Sequence, residues 1–292
     1  MSTEAELHTA GSLAAASARP TGELRLEIGL RGGRGIATSQ FHQGALRVIR
    51  PHYLDESGQV CYVVVNPGGG YLGGDVYELD VDVAAGARLL LTTQSATKVY
   101  RTPGSHAFQQ TRIRLGPGAS LEYLPDQLIA YREASYRQHT VVELDAQASL
   151  VMAEIVTPGW SPDGTLFRYD EVRLRSDVYV DGELLALDNL LIRPAQAGSP
   201  VTGMVFLEDY THLGSLMVVD RRVNAALVDE LYEVLGPLDP EGQLGISLLD
   251  GPGLVLRALS GSTDTLNALL LAAVDLLRGR WFGQTGLDLR KY

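Results

Sequence analysis

Leu79-Asp-Val-Asp-Val-Ala-Ala-Gly-Ala-Arg-Leu-Leu-Leu91 is the segment that decides the fold, because its pattern returns further along the chain. Apolar and polar residues alternate up to a small turn, and an apolar run follows the turn. Alternation with a period of two indicates a half-buried strand, so the segment predicts two strands joined by a short turn. Related segments follow at Thr111-Arg-Ile-Arg-Leu-Gly-Pro-Gly-Ala-Ser-Leu-Glu-Tyr123 and Val141-Val-Glu-Leu-Asp-Ala-Gln-Ala-Ser-Leu-Val-Met152.

The turn alanines of the three segments, Ala87, Ala119 and Ala148, recur at intervals of 32 and 29 residues. Val172–Leu187, with its Asp-Gly turn, resembles a looser fourth copy. Two strands cannot bury their apolar face alone, so neighbouring units must stack into packed layers. The repeat therefore predicts a mainly β fold, either a stacked two-layer β-sandwich or a flattened, solenoid-like arrangement of sheets.

The last third of the chain has a different pattern. Leucine and valine recur at four-residue steps over 221–235, and a second apolar stripe runs through 262–280 behind a Ser-Thr-Asp start. These features predict two amphipathic helices. Gln243–Leu249 and Leu254–Leu259, which lie between the helices, predict two short strands. We expect residues 21–292 to form one β domain that carries both helices.

Composition limits the class of protein. The 292 residues are 45% hydrophobic and carry a formal charge of −11. No apolar stretch is long enough for a membrane span, and the negative charge disfavours nucleic acid as a partner. The single cysteine, Cys61, lies in an apolar run and is expected to pack as a small hydrophobic residue in a reducing cytoplasm. Residues 1–20 lack the features of a secretory signal and predict a disordered tail.

The common enzyme signatures are absent from the sequence. It contains no P-loop, nucleophile elbow, zinc-protease helix or Cys-x-x-Cys pair, and its six histidines lack the spacing of a transition-metal site. The glycine-rich segment Pro67–Asp75 precedes a predicted strand and not a helix, which favours a tight crossover over a phosphate-binding loop. The sequence therefore predicts neither catalytic residues nor a tightly bound cofactor.

Three carboxylates share one face of a predicted strand, at Glu78, Asp80 and Asp82. At a rise of about 3.3 Å per residue, Asp80 and Asp82 lie roughly 6.6 Å apart, which would suit acid/base chemistry or a shared cation. The simpler interpretation is a solvated acidic face. Both interpretations stay open at this point.

Three motifs stand in a specific order along the chain. They are Gly68–Asp75, then Thr92-Thr-Gln-Ser-Ala-Thr-Lys-Val-Tyr-Arg101 behind Gly86-Ala87, and then Gly118–Pro125. In order and spacing they resemble the urease accessory protein family UreD, also called UreH. The resemblance spans roughly residues 22–290 and is strongest over Asn66–Ile155. One departure is Pro125–Tyr131, which keeps the character of the family's segment but not every residue.

The resemblance implies a mostly β scaffold for nickel metallocentre assembly that is not itself an enzyme. Such a protein would bind a helical accessory protein of the UreF type, which recruits a UreG-type GTPase, and would dock on apo-urease. Nickel would be in transit through a polar interior route. Hard oxygen ligands bind nickel weakly, and weak binding lets an ion pass on. The acidic chain and the missing enzyme signatures agree with this role.

Side chains of the matched core are the candidates for the nickel route. The acidic candidates are Asp75, Glu122 and Glu154. Glu154 is chosen because a carboxylate inside the apolar strand Leu150–Val156 is costly to bury without a use, although it could instead pair with a buried arginine. The polar lining of the route is expected from Thr92, Thr93, Ser95 and Lys98.

Two other classes of function remain open. A β-sandwich that binds or cleaves carbohydrate could use Asp80/Asp82 or Glu122/Asp126 as paired carboxylates, with Tyr131 and Tyr136 as a stacking platform, but two tryptophans are few for such a protein. A purely structural subunit would need no polar interior. For any scaffold, we expect partner docking near the two helices and the Trp281-Phe282 pair, which would equally suit the core.

Overall fold

The computed structural model describes residues 19–194, 201 and 206–289, so all but the last two residues of the predicted tail lie outside the described part. Within these residues the chain forms strands, two α-helices and one short 3-10 turn (Gly236–Leu238). The strands are β1 (Gly22–Arg31), β2 (Arg34–Gly44), β3 (Arg47–Val48), β4 (Val60–Val65), β5 (Val76–Val83), β6 (Arg88–Thr93), β7 (Thr97–Val99), β8 (Ala107–Leu115), β9 (Ser120–Leu124), β10 (Leu128–Ala130), β11 (Ser135–Leu144), β12 (Ser149–Val156), β13 (Glu171–Val180), β14 (Glu183–Ile192), β15 (His212–Val219), β16 (Gln243–Leu248) and β17 (Gly253–Ser260). The helices are α1 (Ala225–Leu235) and α2 (Thr263–Phe282).

Two sheets are stacked face to face. The seven-stranded sheet has the order β14-β13-β11-β8-β5-β1-β2. The ten-stranded sheet has the order β16-β17-β15-β12-β9-β6-β4-β3, with β7 and β10 attached beside it. The prediction of a mainly β, two-layer and solenoid-like fold with two helices is confirmed.

The sequence repeat places one strand of each unit in each sheet. The first strands, β5, β8 and β11, are parallel neighbours in the seven-stranded sheet, and β6, β9 and β12 are parallel neighbours in the ten-stranded sheet. The turn alanines stack: Ser120 N donates to Ala87 O at 3.0 Å, and Ser149 N donates to Ala119 O at 2.8 Å. Small residues recur at these turns because successive turns lie directly on one another.

The looser fourth copy behaves differently from the first three. Its strands β13 and β14 form an antiparallel hairpin inside the seven-stranded sheet. Asp181 and Gly182 both have positive φ, at 49° and 83°, which is the conformation of a two-residue hairpin turn. The hairpin therefore ends the sheet and does not add a further layer-crossing unit.

Apolar side chains form two cores. One lies between the two sheets, and the other lies between the ten-stranded sheet and the two helices. The first helix begins at Ala225, later than the predicted 221, because Asn224 caps it by accepting from Leu227 N. The second begins behind the Ser262 cap and ends at Gly283, whose φ of 62° stops the helix.

Candidate functional site

A chain of polar side chains crosses the space between the sheets. Gln109 on β8 and Gln138 on β11 are direct neighbours in register. Tyr71 Oη donates to Gln109 Oε1 at 2.7 Å, and Tyr136 Oη donates to Gln138 Oε1 at 3.0 Å. Gln138 Nε2 in turn donates to Glu154 Oε1 on β12, in the opposite sheet. The interior of this sandwich is therefore polar along one line, between layers of apolar side chains.

A cavity of about 50 Å³ lies along this line. That volume holds one or a few water molecules. Its walls include all five of the hydrogen-bonded polar residues just named, together with Thr93, Thr97 and Asp126. Burial raises the pKa of Tyr123, also in the wall, to about 12, and raises that of Tyr136 well above its ordinary value. The phenols therefore line the cavity as neutral donors.

Glu154 is the carboxyl of this cavity that has a strongly shifted pKa. Its pKa is raised to about 7, first by burial and then by the neighbouring Asp188 charge, against the opposing effects of the bond from Gln138 and the charge of Arg257. Arg257 bonds to Asp188, and Gln138 is the hydrogen-bond partner of the Glu154 carboxyl. The alternative of a direct pair between Glu154 and a buried arginine is therefore not the arrangement of this site. Near neutral pH, Glu154 exchanges between an acid and a carboxylate.

A second cavity, of about 40 Å³, continues the first one toward the surface. It shares the walls Tyr71, Thr93 and Thr97 with the first cavity. Its outer walls are exposed residues of the glycine-rich loop and of the turn after β6, among them Gly69 and Ser95.

Gly70 shows why this loop needs glycine. A Cβ at Gly70 would stand 2.5 Å from a ring carbon of Tyr100 and 2.9 Å from Lys98 O. Any side chain would therefore push the loop away from the cavity. This fulfils the prediction of a tight crossover, and the segment is followed by β5 and not by a helix.

A third cavity, of about 320 Å³, lies on the other side of the ten-stranded sheet, beneath α2. Pro125, Asp126 and Ile155 are walls of both the first and the third cavity. Asp126 follows the end of β9, where Thr93 Oγ1 donates to its Oδ2 at 2.7 Å and accepts from its backbone N at 2.8 Å. The three cavities thus adjoin one another from the glycine-rich loop to the helix.

Four of the seven predicted route residues line the first two cavities. Glu154 and Thr93 line the first, and Thr93, Ser95 and Lys98 line the second. Asp75 lies at the base of the glycine-rich loop, where its carboxylate accepts from Leu72 N at 2.7 Å and from Thr21 Oγ1 at 3.1 Å. It holds the loop that forms the outer cavity.

Thr92 and Glu122 point to the opposite face of the ten-stranded sheet. Thr92 Oγ1 donates to Leu124 O. Glu122 is 2% exposed and accepts from Arg278 Nη1, which also donates to Gln59 Oε1 at 2.9 Å. Burial raises the pKa of Glu122, and the Arg278 charge opposes that shift. This pair ties α2 to the sheet and lies outside the three cavities.

The carboxylates considered for carbohydrate chemistry are engaged elsewhere. Asp80 and Asp82 pair with Arg112 at 3.6 Å and Arg114 at 3.3 Å on the neighbouring strand. They face outward from the seven-stranded sheet, where an open depression of about 1100 Å³ carries further charged side chains. Tyr136 is buried and cannot be a surface platform. Asp80/Asp82 and Tyr136 therefore give the carbohydrate alternative no support, and Glu122 is paired with Arg278, whereas Tyr131 lies in a row of rings with Tyr100 and Trp160.

The Trp281-Phe282 pair lies at the end of α2, and its rings are covered by arginine. The Arg222 guanidinium lies 4.5 Å from the Trp281 ring centre and 4.8 Å from that of Phe282. Arg88 lies 4.2 Å from the Phe282 ring centre. Trp281 also packs against the helix-side core. The pair therefore serves packing here, and its use in docking stays a prediction.

Sequence reasoning missed the two glutamines at the centre of the site. A signal was available, because Gln109 and Gln138 occupy inward positions of alternating strands, where apolar residues are expected. They are also 29 residues apart, the spacing of the repeat. Within the described residues no group of three His, Cys, Asp or Glu side chains is arranged to hold a metal ion. Over the same residues, no helix is both long and apolar enough to cross a membrane.

Comparison with known proteins gives one consistent result. The family model described as UreD urease accessory protein matches residues 20–291. The urease accessory protein UreD of Arthrobacter sp. (strain FB24) is 60% identical over 279 residues, covering 94% of this chain and 94% of the relative. That of Paenarthrobacter aurescens (strain TC1) is 59% identical and covers 93% and 95%. A more distant relative, the UreD of Bacillus sp. (strain TB-90), is 36% identical and covers 93% and 99%.

Proposed function

Because this chain belongs to the UreD family of urease accessory proteins, we propose that it is a scaffold that passes nickel through its interior to apo-urease. Family membership makes it a urease accessory protein and not an enzyme. In the proposed role it joins a UreF-type helical protein, and through it a UreG-type GTPase, to apo-urease in the cytoplasm. Nickel is the cargo, and the scaffold keeps none of it.

The observation that carries this proposal is the row of three adjoining cavities. The walls of the first cavity supply hydroxyl, amide and carboxyl oxygens from Thr93, Gln109, Gln138, Asp126 and Glu154; it shares Thr93 with the second cavity and Asp126 with the third. These are hard ligands, and no three acidic, His or Cys groups in the described residues converge as a cage. A divalent cation would therefore exchange a few water molecules for protein oxygens at each step without being trapped.

Glu154 gives the proposed route its electrostatic attraction. A carboxyl with a pKa of about 7 ionises readily when a cation approaches, because the cation favours the charged form. It returns to the neutral acid when the cation leaves. A fully ionised carboxylate at this depth would bind more strongly and would cost more free energy when empty.

Urease activation in a reconstituted system tests the route. The variant Glu154→Leu removes the carboxyl but keeps a side chain of similar size, and Thr93→Val removes the hydroxyl shared by two cavities. We expect both variants to co-purify with the partner proteins and apo-urease as the natural chain does, and to activate urease several-fold more slowly. The control is Glu143→Gln, an exposed carboxyl on β11 that borders the outer depression of the seven-stranded sheet and lines none of the three cavities. Normal activation by an intact complex of the Glu154 variant would remove the route and favour a purely structural subunit.

A further inference from the structure

Three aromatic-arginine dipeptides recur along the chain and meet at one end of the sandwich. They are Tyr100-Arg101, Tyr131-Arg132 and Phe167-Arg168. Backbone hydrogen bonds stack the segments: Tyr131 N donates to Val99 O at 2.9 Å, Thr102 N to Glu133 O at 3.1 Å, and Glu133 N to Arg168 O at 2.9 Å. We call this surface, together with Trp160, the aromatic-arginine face.

The rings of this face form a row that ends in solvent. The ring centres of Tyr100 and Tyr131 are 4.9 Å apart, and those of Tyr131 and Trp160 are also 4.9 Å apart. Trp160 is 51% exposed, and Leu166, which directly precedes Phe167 in the chain, is 45% exposed. Large aromatic and aliphatic groups in water are unfavourable singly, and a contiguous group of them is typical of a surface that a partner covers.

Two strained residues support the face. Glu133 and Phe167 have φ of 60° and 55°, a left-handed conformation that is unfavourable for residues other than glycine. Each is adjacent to one of the arginines, since Glu133 follows Arg132 and Phe167 precedes Arg168. Glycine would relieve the strain at either place, so the side chains of Glu133 and Phe167 are present at a cost in conformational free energy.

The charge of the face selects the kind of partner. Arg101 and Arg132 share a single carboxylate, Glu133, at 2.5 Å and 3.6 Å. Arg168 carries a third guanidinium: its backbone carbonyl accepts from Glu133 N, and, after hydrogen bonds to the carboxylate, its charge contributes to a lowered pKa of Asp163. Three guanidinium groups thus stand with two acids on this face, in a chain whose formal charge is −11. Guanidinium groups recognise carboxylates with paired hydrogen bonds, and Trp, Tyr and Arg are the residue types that dominate interface affinity.

We propose that the aromatic-arginine face docks an acidic segment of a partner protein, with an apolar or proline side chain of that segment seated on the ring row. The inference rests on the proposed scaffold role only in requiring a protein partner, and not on the nickel route. Tyr100 packs against Gly70 of the outer cavity. A docked segment would therefore lie beside the mouth of the route.

Binding measurements test this face directly. The two probes are a purified UreF-type protein and purified apo-urease, each titrated separately against the full chain. The variants are Trp160→Ala and the triple variant Arg101→Gln, Arg132→Gln and Arg168→Gln. For one of the two probes we expect a loss of affinity of at least about 10-fold with either variant. The triple variant should also lose most of the salt dependence of that binding.

A matched control uses arginines outside the face. Arg112→Gln with Arg114→Gln removes two exposed guanidinium groups from the outer face of the seven-stranded sheet, and it should leave both affinities unchanged. A photo-crosslinking residue at Leu166 gives an independent readout, and we expect it to capture an Asp/Glu-rich peptide of the same probe.

Unchanged affinity of both variants for both probes would overturn the proposal, as would capture of a basic peptide or specific binding of a glycan to the face. The outcome is separable from that of the nickel route. The Glu154→Leu variant is read by urease activation within an intact complex, whereas the aromatic-arginine face is read by association without nickel.

Discussion

Glu154→Gln should stabilise the protein, and the gain should depend on pH. Burial holds the pKa of this carboxyl at about 7, above its ordinary value of 4.5. The folded protein therefore keeps a proton that the unfolded chain has released between pH 4.5 and 7. Unfolding releases that proton, so the stability of the natural chain falls as pH rises through this window and is constant above it. A glutamine at position 154 neither binds nor releases a proton in this range, so its contribution to stability does not change with pH.

The magnitude follows from the shift. From 4.5 to about 7 is about 2.5 pH units, and each unit corresponds to about 1.4 kcal/mol. Because one side of Glu154 faces a cavity with room for water, we reduce the resulting 3 to 4 kcal/mol to about 2 kcal/mol. The glutamine oxygen can still accept the bond from Gln138 Nε2, so the geometry is kept. The free energy of unfolding of the variant should equal that of the natural chain near pH 4.5 and exceed it by about 2 kcal/mol at pH 8.

Urea unfolding at pH 5, 6, 7 and 8 measures this difference. At each pH, the free energy of unfolding of the natural chain is subtracted from that of the variant. The subtraction cancels the titration of all groups that the substitution does not affect. The exposed control Glu143→Gln should change the free energy of unfolding only slightly. A Glu154→Gln difference that does not change between pH 5 and 8 would refute the reasoning, because it would place the carboxyl in contact with solvent.

Other substitutions have defined outcomes. Arg278→Met should lower the free energy of unfolding by about 3 to 5 kcal/mol in urea, because it leaves Glu122 buried without its cation, and adding Glu122→Met should recover most of the loss. Gly70→Ala should cost about 1 to 3 kcal/mol in the same assay, since its Cβ meets a ring carbon at 2.5 Å, whereas Gly245→Ala, with open space around it, should cost under 1 kcal/mol. Asp177→Asn should cost about 1 to 3 kcal/mol at pH 7, and the cost should shrink as pH falls below 3.8, because arginine and histidine partners lower the Asp177 pKa and its contribution is lost as pH falls through that lowered value.

The fold could be predicted as far as local alternation determines it. Period-two patterning located the strands of the three stacked units, and the recurring alanines fixed how the units lie on one another. The fourth copy shows the limit. Its Asp-Gly turn is the signal of a two-residue hairpin, which keeps both strands in one sheet, and the likeness to the earlier copies obscured that signal.

The site was predictable only in part, because the face of a strand matters as much as its residues. Glu122 belongs to a matched motif, but Leu121 and Tyr123 point into the sandwich, so Glu122 must point to the helix side. The alternation of side chains between the two faces of the strand is therefore enough to place Glu122 outside the route. Its partner Arg278 lies 156 residues away on α2, and no local pattern links the two.

The position of the proposed route follows from the way the ten-stranded sheet is built. A continuous sheet has no opening, because its strands stand about 4.8 Å apart and every backbone group between them is paired. This sheet is interrupted at one level, where β6 and β9 end and the short strands β7 and β10 begin after three intervening residues. Residues 94–96 and 125–127 fill the interruption, and Thr93 and Asp126 bond to each other across it. A polar passage from the inter-sheet cavity to α2 has to cross here, since β12 runs unbroken beside the interruption. Regular stacking of the repeat thus forms a continuous sheet, and the proposed route crosses it at one irregularity shared by two successive units.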